Sequence, residues 1–375
     1  MLYIKSVNII PRNMRKLLRF FLYLLMPVSC IGQQIKNTDE NLKVYHEIYS
    51  VLKNHYPLFQ YRGYYNLDSA YEKYKPEVIK STTRDQLGLY CCHMIQGLED
   101  FHVRIYGESG KCYALSTPLH WHQLFYNDSL QRVFWNNSDN TLYQSNFAQL
   151  KSVLYDDKLP MIRYSKSNEL GYLNITRLET KFDATLSSKD SKLLAKTMDS
   201  IVSQFKTIKV LLIDLRSCMG GWTEYGEIMA SRLTKKRIQY ATTVYFKTAK
   251  DSSSAIQHFI NPEGPEQLEV PVIILTNKVV RSAAEDFILM LKQLPNVYII
   301  GEPTWGAFSE SRVHKLSNGW RLQYSNEKVY SPHGEIYEGR GIPVDLRIDN
   351  TWEDITNKSD KVLTEAIVKA LGFNK

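Results

Sequence analysis

Residues 271–287 read PVIILTNKVVRSAAEDF. The apolar run at 272–275 is rich in β-branched residues, which is typical of a strand buried on both faces of a sheet. From Ala283 to Leu291 the apolar residues recur at helical spacing, which predicts an amphipathic helix. Ser282 therefore lies at the junction between a buried strand and a helix.

Two interpretations of Ser282 follow from this position. A serine beside the first turn of a helix can act as a nucleophile, because unpaired backbone N–H groups and the helix dipole stabilise an oxyanion there. A serine is also one of the commonest helix N-caps. The local sequence leaves both interpretations open.

Strands and helices alternate from residue 169 to the end of the chain. A second buried strand, 210–213, leads into DLRSCMGG, in which Gly220 and Gly221 give the backbone freedom to approach a ligand or to turn tightly. Alternation of this kind predicts an α/β core with helices on both faces of a sheet. Further strands are predicted at 170–175, 242–246 and 297–300, and further helices at 192–205 and 225–233.

Two smaller regions precede this core. Three apolar stripes at helical spacing predict an N-terminal helical subdomain at 38–100. At 101–105 the apolar period changes to two, which predicts a strand on which Asp100 and His102 share one face. Residues 101–168 are then expected to form a β-rich intervening segment, with strand-like pieces at 132–135 and 161–164.

The first 32 residues have the composition of a secretory signal peptide. Five basic residues precede a short apolar stretch at 20–28, and small residues follow it. The apolar stretch is too short to span a bilayer well, so no membrane span is expected. Cys30 is a candidate for a lipid anchor, although Pro27 stands where a lipidation motif prefers leucine. We therefore expect an exported protein, periplasmic or extracellular.

Charge and cysteine content narrow the functional class. The chain has 47 Lys and Arg against 39 Asp and Glu, a net charge of +8, and loss of the five basic leader residues reduces this to +3. A nucleic-acid partner is therefore not expected. The remaining cysteines, Cys91, Cys92, Cys112 and Cys218, match no metal motif, and neither a metal nor a cofactor is predicted.

Four motifs in order resemble those of the S41 serine peptidases, the family of the C-terminal processing proteases and the tricorn core protease. They are DLRxxxGG, NxxxxSAxE, GExTxG and ExxGIxxD, which begin at residues 214, 277, 301 and 338. The resemblance implies a ClpP/crotonase-like core at 169–375, preceded by the helical subdomain and the β-rich segment.

The resemblance also implies roles for individual residues. Ser282 occupies the position of the family nucleophile. Ala307 replaces the lysine base of the processing-protease branch, so the tricorn-like branch, with a histidine and a glutamate, is the better match. His102 and Glu338 occupy those two positions, although Phe101 replaces the serine that this branch has before its histidine.

The same resemblance assigns the oxyanion hole to backbone N–H groups of Gly220 or Gly221 and of Ala283. In such a site the imidazole takes the serine proton and returns it to the leaving amine, while a carboxylate fixes the imidazole tautomer. His102 is the predicted general base and Glu338 its orienting acid.

The sequence therefore predicts an exported serine peptidase that acts on a peptide or protein substrate. One alternative is a non-catalytic binding protein for apolar or peptide ligands on the same fold. Another is a crotonase-type ester or thioester hydrolase. The sequence does not specify the substrate, the oligomeric state or any disulfide pairing.

Overall fold

The structure is a computed structural model that describes residues 38–63, 65–115, 128–155, 160–179 and 187–373. The predicted signal peptide and Cys30 lie outside the described residues. Within the described ranges, no helix is both long and apolar enough to cross a membrane.

Helices and strands alternate along most of the chain. The helices are α1 (Thr38–His55), α2 (Leu67–Lys80), α3 (Arg84–Gln96), α4 (Asp128–Gln144), α5 (Ser188–Gln204), α6 (Thr223–Ala230), α7 (Ala283–Leu291), α8 (Trp352–Thr356) and α9 (Lys361–Gly372). The strands are β1 (Arg104–Tyr106), β2 (Cys112–Leu115), β3 (Lys151–Tyr155), β4 (Pro160–Lys166), β5 (Leu170–Ile175), β6 (Val210–Asp214), β7 (Ile238–Thr248), β8 (Asp251–Ser252), β9 (Ile256–Ile260), β10 (Val272–Thr276), β11 (Val297–Gly301), β12 (Ser311–Lys315), β13 (Arg321–Ser325), β14 (Glu327–Tyr330) and β15 (Leu346–Arg347).

The central sheet has seven strands in the order β15-β11-β10-β6-β5-β4-β3. The first five are parallel to one another, and β4 and β3 continue the sheet in antiparallel pairing. Strand β10, predicted from the apolar run at 272–275, lies between β6 and β11 and is buried throughout. The α/β prediction is confirmed.

Helices cover both faces of this sheet. Successive side chains of β10 point to opposite faces and therefore pack into two different cores. Ile274 packs into a core formed with α5, α6 and α7. Ile273 packs into a second core that contains Leu142 of α4 and Leu363 of α9. A strand between two helical layers needs apolar residues at every position, which explains its unbroken apolar sequence.

The N-terminal helices share a core with a hairpin from the other end of the chain. Helices α1, α2 and α3 confirm the three predicted helical stripes, and the Thr83 hydroxyl caps α3 by accepting from the Gln86 N–H at 3.2 Å. Trp320, in the turn between β12 and β13, is fully buried against these helices. A second sheet, β12-β13-β1-β2, continues this connection. The helical subdomain is thereby held against the region that carries the predicted site.

The strand predicted at 101–105 is shorter than expected, and this changes the setting of His102. Residues 100–103 form a turn in which the Val103 N–H donates to the Asp100 carbonyl at 3.1 Å, and β1 begins only at Arg104. The Asp100 carboxylate also accepts from the His102 N–H at 2.8 Å, the local bond that favours a turn over a strand. The prediction that Asp100 and His102 share a strand face was wrong.

The prediction of a strand at 132–135 was also wrong, because these residues lie inside α4. Phe134 and Leu142 are buried on the same side of this helix. Between them on that side lies Ser138, which is buried but polar. Its hydroxyl donates to the Asp360 carboxylate at 2.6 Å, so a polar residue fills a buried helical position and hides the apolar period. The piece predicted at 161–164 lies in β4 and is confirmed.

Candidate active site

Ser282 occupies the N-terminal flank of α7 in a conformation that ordinary N-caps do not adopt. Its backbone has φ 57° and ψ −139°, and its side chain makes no capping hydrogen bond. An N-cap serine normally has extended backbone angles and accepts from an N–H of the first turn. A non-glycine residue at such angles costs about 1–3 kcal/mol and persists only where the surrounding structure imposes it. The N-cap interpretation therefore does not account for Ser282.

Gly220 explains how the strained turn is packed. A Cβ atom on Gly220, where φ is +95°, would lie 2.9 Å from the Ser282 Cβ and 3.0 Å from the Ala283 nitrogen. The loop after β6 therefore lies directly against the Ser282–Ala283 peptide. The neighbouring Gly221 packs instead on the Leu178 carbonyl, 2.3 Å from where its Cβ would be.

The oxyanion-hole assignment of Gly220, Gly221 and Ala283 stays a prediction. Burial raises the pKa of the Cys218 thiol to about 12, against an opposing effect of a hydrogen bond from the Gly220 N–H. Leu178 pairs with this loop through two hydrogen bonds: its N–H donates to the Gly220 carbonyl, and its carbonyl accepts from the Trp222 N–H. The Gly221 N–H takes no part in this pairing.

Gly220→Ala is expected to displace the Ser282 turn and to lower activity at least tenfold, because the added methyl contacts rigid backbone at 2.8 Å. The expected loss of unfolding free energy is about 1–3 kcal/mol. Gly334→Ala is the matched control, since Gly334 also has a positive φ but has open space around its Cβ position. Chemical denaturation and the rate of covalent labelling of Ser282 check both variants. Equal effects of the two substitutions would contradict the packing explanation.

His102 is buried in the turn before β1, and this turn packs against the turn that carries Ser282. Phe101, which precedes His102, lies 3.7 Å from the guanidinium of Arg281, which precedes Ser282. The fold thus brings together two turns that are 180 residues apart in the chain. The His102 Nδ1 atom is buried and has no hydrogen-bond partner among the described residues. An imidazole with an unused buried nitrogen is available to exchange a proton with a group that enters the site.

The charges around His102 favour its neutral form. Burial lowers the pKa of His102 to about 4, Asp100 opposes this shift, and Arg104, Arg62 and Arg281 add to it. A neutral imidazole is the form that can accept the proton of a serine hydroxyl.

The pH dependence of Ser282 labelling is expected to reflect this low pKa. The rate should fall only as the pH approaches about 4, rather than near 6.5 as for an ordinary histidine. In Arg281→Met the acid limb should move to higher pH, because removing a nearby cation makes protonation of His102 easier. Rates of fluorophosphonate labelling between pH 3.5 and 8 check both statements. An acid limb that is centred near 6.5 in the unmodified protein would contradict them.

A buried ion-pair network lies beside His102. The guanidinium of Arg62 contacts the carboxylates of both Asp100, at 2.9 Å, and Glu338. Asp100 also accepts from the hydroxyls of Tyr56, at 2.7 Å, and Ser325, at 2.8 Å. Arg62 was not singled out from the sequence, and only its close contact with two distant carboxylates identifies it.

Glu338 is engaged by this network and by backbone. Its second carboxylate oxygen accepts from the N–H groups of Phe308 and Ser309 at 3.0 and 3.1 Å. Burial raises the pKa of Glu338 to about 7, against the opposing effect of Arg62. No hydrogen bond joins Glu338 to the His102 ring among the described residues, so its orienting role stays a prediction. Asp100, whose charge acts directly on His102, is a second candidate for that role.

Glu285 explains why two of the sequence motifs occur together. Its buried carboxylate accepts from the Thr304 hydroxyl at 2.5 Å and from the N–H groups of Gly306 and Ala307 at 2.7 Å each. The Ala307 carbonyl in turn accepts from the Ser282 N–H at 3.0 Å. The glutamate of SAxE thus holds the GExTxG loop, and that loop holds the backbone of Ser282. Ala307, at the position of the lysine base in the processing proteases, contributes only its backbone to these bonds.

The fold and this site define a class of protein. A mostly parallel sheet with a serine on a strained strand-to-helix turn is the framework of hydrolases that use a serine nucleophile. Among the described residues, no group of three or more His, Cys, Asp or Glu side chains is placed to hold a metal ion.

Comparison with known proteins gives the family. Residues 169–348 match the family model described as Peptidase family S41, and this part of the chain belongs to that family. A Staphylococcus aureus protein described as a "Probable CtpA-like serine protease" is 27% identical over 189 residues, which are 50% of this chain and 35% of that protein. A Staphylococcus epidermidis protein with the same description is 25% identical over 226 residues, 56% of this chain and 43% of that protein. The chain therefore spans less than half the length of these relatives.

Solved structures show the same fold over most of the chain. A crystal structure of a Parabacteroides merdae protein assigned as a peptidase has a TM-score of 0.71 at 22% identity, and covers 88% of this chain and 97% of that one. Mature CPAF has a TM-score of 0.63 at 13% identity, covering 88% and 96%. The tricorn protease has a TM-score of 0.51 at 13% identity, covering 90% of this chain and 37% of that one. The family and the fold agree with the resemblance inferred from the sequence motifs.

Proposed function

We propose that the chain is an exported serine peptidase that hydrolyses peptide bonds with Ser282 as nucleophile and His102 as general base. The observation that carries this proposal is the conformation of Ser282. Its side chain is not used for capping, its backbone is held at φ 57°, and it stands at the positive end of α7. The strained backbone of Ser282 is held by the surrounding structure, and the Arg281–Phe101 contact joins its turn to that of His102, which supports this pairing.

The surrounding groups fit the steps of acyl transfer. Neutral His102 takes the Ser282 proton during attack on the scissile carbonyl, and the resulting imidazolium returns it to the leaving amine. The oxyanion forms beside the N–H groups of Ala283 and of the Gly220–Gly221 loop. In the proposed mechanism Glu338 is the acid that stabilises the imidazolium, with Asp100 and Arg62 holding the network in place.

Two variants separate the candidate acids. If Glu338 supports His102 in the reaction, Glu338→Gln lowers kcat with little change in KM, since the neutral amide cannot stabilise the imidazolium. If Asp100 has this role, Asp100→Asn has that effect and Glu338→Gln affects mainly stability. Thermal unfolding of both variants, measured beside their kinetics, distinguishes a catalytic loss from a loss of folded protein.

A fluorophosphonate probe tests the proposed nucleophile. The folded protein should be labelled on Ser282, labelling should be absent in Ser282→Ala, and it should be strongly reduced in His102→Ala. Ser252→Ala, at an exposed position in β8, is the matched control and should label normally. Folded protein that is not labelled would favour the binding-protein alternative. Labelling together with hydrolysis of esters but not of peptides would favour the ester or thioester hydrolase.

Export is supported by the composition of residues 1–32 and is part of the proposal. N-terminal sequencing of the protein from its natural source is expected to give a chain that begins near Gln33. A chain that begins at Cys30 and takes up labelled fatty acid would show the lipid-anchored form instead. Retention of the complete leader on the functional protein would contradict export by this signal.

A further inference from the structure

Arg281 is a buried cation that has no carboxylate partner among the residues the structure describes. Its side chain is 7% exposed, and its Nε atom is buried with no hydrogen-bond partner among the described residues. Its guanidinium donates a hydrogen bond to a thioether and packs on two aromatic rings. These are the Met219 sulfur at 2.8 Å, the Phe101 ring at 3.7 Å and the Trp305 ring at 5.2 Å.

Two other buried arginines, Arg62 and Arg216, are each paired with carboxylates. Arg62 lies between Asp100 and Glu338, and Arg216 lies between Asp214 and Asp360. A buried charge without a partner is unfavourable, since desolvation is not offset by an opposite charge. Burial and the nearby Arg104 lower the pKa of Arg281 to about 10, so Arg281 remains a cation at neutral pH.

A second cation reinforces the positive charge at this point. The Arg104 guanidinium lies 4.0 Å from the Phe101 ring, and the Arg281 guanidinium lies 3.7 Å from the same ring. The acid whose charge acts on Arg281 is Glu285, and its carboxylate oxygens are held by Thr304, Gly306 and Ala307. Within the described part of the chain, this positive site thus has no anion of its own.

The position of this cation is defined by its neighbours in the chain. Arg281 directly precedes Ser282, and Met219 directly precedes Gly220, which packs on the Ser282 turn. A group bound at Arg281 would lie within about one or two residues of the attacked bond, since an extended chain rises about 3.3–3.6 Å per residue.

An anion can reach the guanidinium where Met219 now lies. The Met219 side chain is 46% exposed and flexible, and its sulfur is a weak hydrogen-bond acceptor. A carboxylate that displaced this sulfur would gain a charge-assisted and geometrically matched pair with the guanidinium.

We propose that Arg281 binds a carboxylate of the substrate beside the bond that Ser282 attacks, and so makes the enzyme selective for acidic substrates. This inference rests on the proposed peptidase function. The carboxylate has two sources of the same chemistry, an Asp or Glu side chain or the free carboxyl terminus of the peptide. Substrates with Lys or Arg at the same position are expected to be disfavoured.

Matched octapeptide libraries test this assignment. The peptides come in pairs that differ only by Asp or Asn at one position, and every position is tested in turn. Each peptide is made both with a free carboxyl terminus and with a carboxyl-terminal amide. Cleavage is read as kcat/KM by mass spectrometry, and binding of the same peptides to Ser282→Ala is read by fluorescence anisotropy. The unmodified protein should prefer the acidic member of the decisive pair by about 10- to 100-fold, the range expected for a hydrogen bond to a charged group.

Variants of Arg281 then assign the preference to this side chain. Arg281→Met should reduce the ratio to about one, and Arg281→Lys should keep a smaller preference because it retains the charge and loses the planar fork. Arg237→Met is the matched control, since Arg237 also lies 3.7 Å from an aromatic ring, that of Phe259, at an exposed position. It should leave the ratio unchanged.

The outcomes separate this inference from the proposed function. If Ser282 is labelled and peptides are cleaved without an anion preference, or if Arg281→Met keeps the preference, the inference is wrong while the peptidase assignment stands. If no peptide is cleaved and Ser282 is not labelled, the peptidase assignment fails. In that case, equal binding of the Asp or free-carboxyl peptides and of their Asn or amide counterparts to the unmodified protein overturns the inference too. Binding that favours the carboxylate in the unmodified protein, and loses this preference in Arg281→Met, supports the inference. If Arg281→Met does not fold, Arg281→Lys provides the same comparison through its reduced ratio.

Discussion

Ser282→Ala is expected to lower peptide hydrolysis by at least about a thousandfold while leaving the fold intact. In enzymes with a serine nucleophile and a histidine base, loss of either member removes most of the acceleration, because the two act as a unit. The residual rate should come from substrate binding and oxyanion stabilisation alone. Single-turnover kinetics with a peptide from the library screen measure the loss, and circular dichroism checks the fold.

The double variant adds a sharper criterion. If His102 acts by taking the Ser282 proton, Ser282→Ala together with His102→Ala should be no slower than Ser282→Ala alone. Multiplicative losses in the double variant would show that the two residues act separately, and the proposed base would then be wrong.

Substituting glycine at the same position tests the strain. Ser282→Gly is expected to be more stable than Ser282→Ala by about 1 kcal/mol, because glycine adopts φ 57° without steric cost whereas alanine does not. Both variants should be inactive, so the difference reports the backbone alone. The free energy of unfolding in urea measures it. Equal stability of the two variants would contradict the claim that the Ser282 turn is held under strain.

Arg62→Met is expected to be the most destabilising single change near the site, at about 3–5 kcal/mol of unfolding free energy. It leaves two carboxylates, Asp100 and Glu338, buried without their shared cation. The expected loss is comparable to the whole stability of many domains, so growth temperature should limit the yield of folded protein. Lys53→Met is the control, since the Lys53–Asp68 pair is exposed and such pairs contribute only about 0–1 kcal/mol.

The pH dependence of this destabilisation has a definite sign. Without Arg62 the pKa of Asp100 rises, and that of Glu338, already raised to about 7, rises further. The folded variant then binds more protons than the unfolded chain. Its stability is then present at low pH and is lost as the pH rises. The deficit of Arg62→Met should therefore be smaller at pH 5 than at pH 8. A second change, Glu338→Gln, should recover part of it by removing one buried charge, and a deficit that is independent of pH would contradict this explanation.

Much of the core could be predicted from the sequence because its information is local. The run at 272–275 is apolar at each position since β10 lies between two helical layers, and the spacing from Ala283 to Leu291 matches α7 residue for residue. The family motifs likewise place Ser282 at a strand-to-helix junction. Periodicity failed where tertiary contacts replaced apolar side chains, as at Ser138 in α4. It also failed where a side chain accepted from the backbone two residues further on, as Asp100 does from the His102 N–H.

The chemistry of the site was decided by contacts between distant parts of the chain. Phe101 and Arg281 meet only after folding, and so do Arg62 and Glu338. No local pattern distinguishes an arginine between two carboxylates from one with none, because the difference depends on which distant acids the fold brings within about 4 Å. The sequence by itself determined the buried strands of the sheet, the helices α5, α6, α7 and α9 that cover it, and the position of Ser282. Only the tertiary structure decided the strained conformation of that serine, the setting of His102 and the isolation of Arg281, since each depends on packing between segments far apart in the chain.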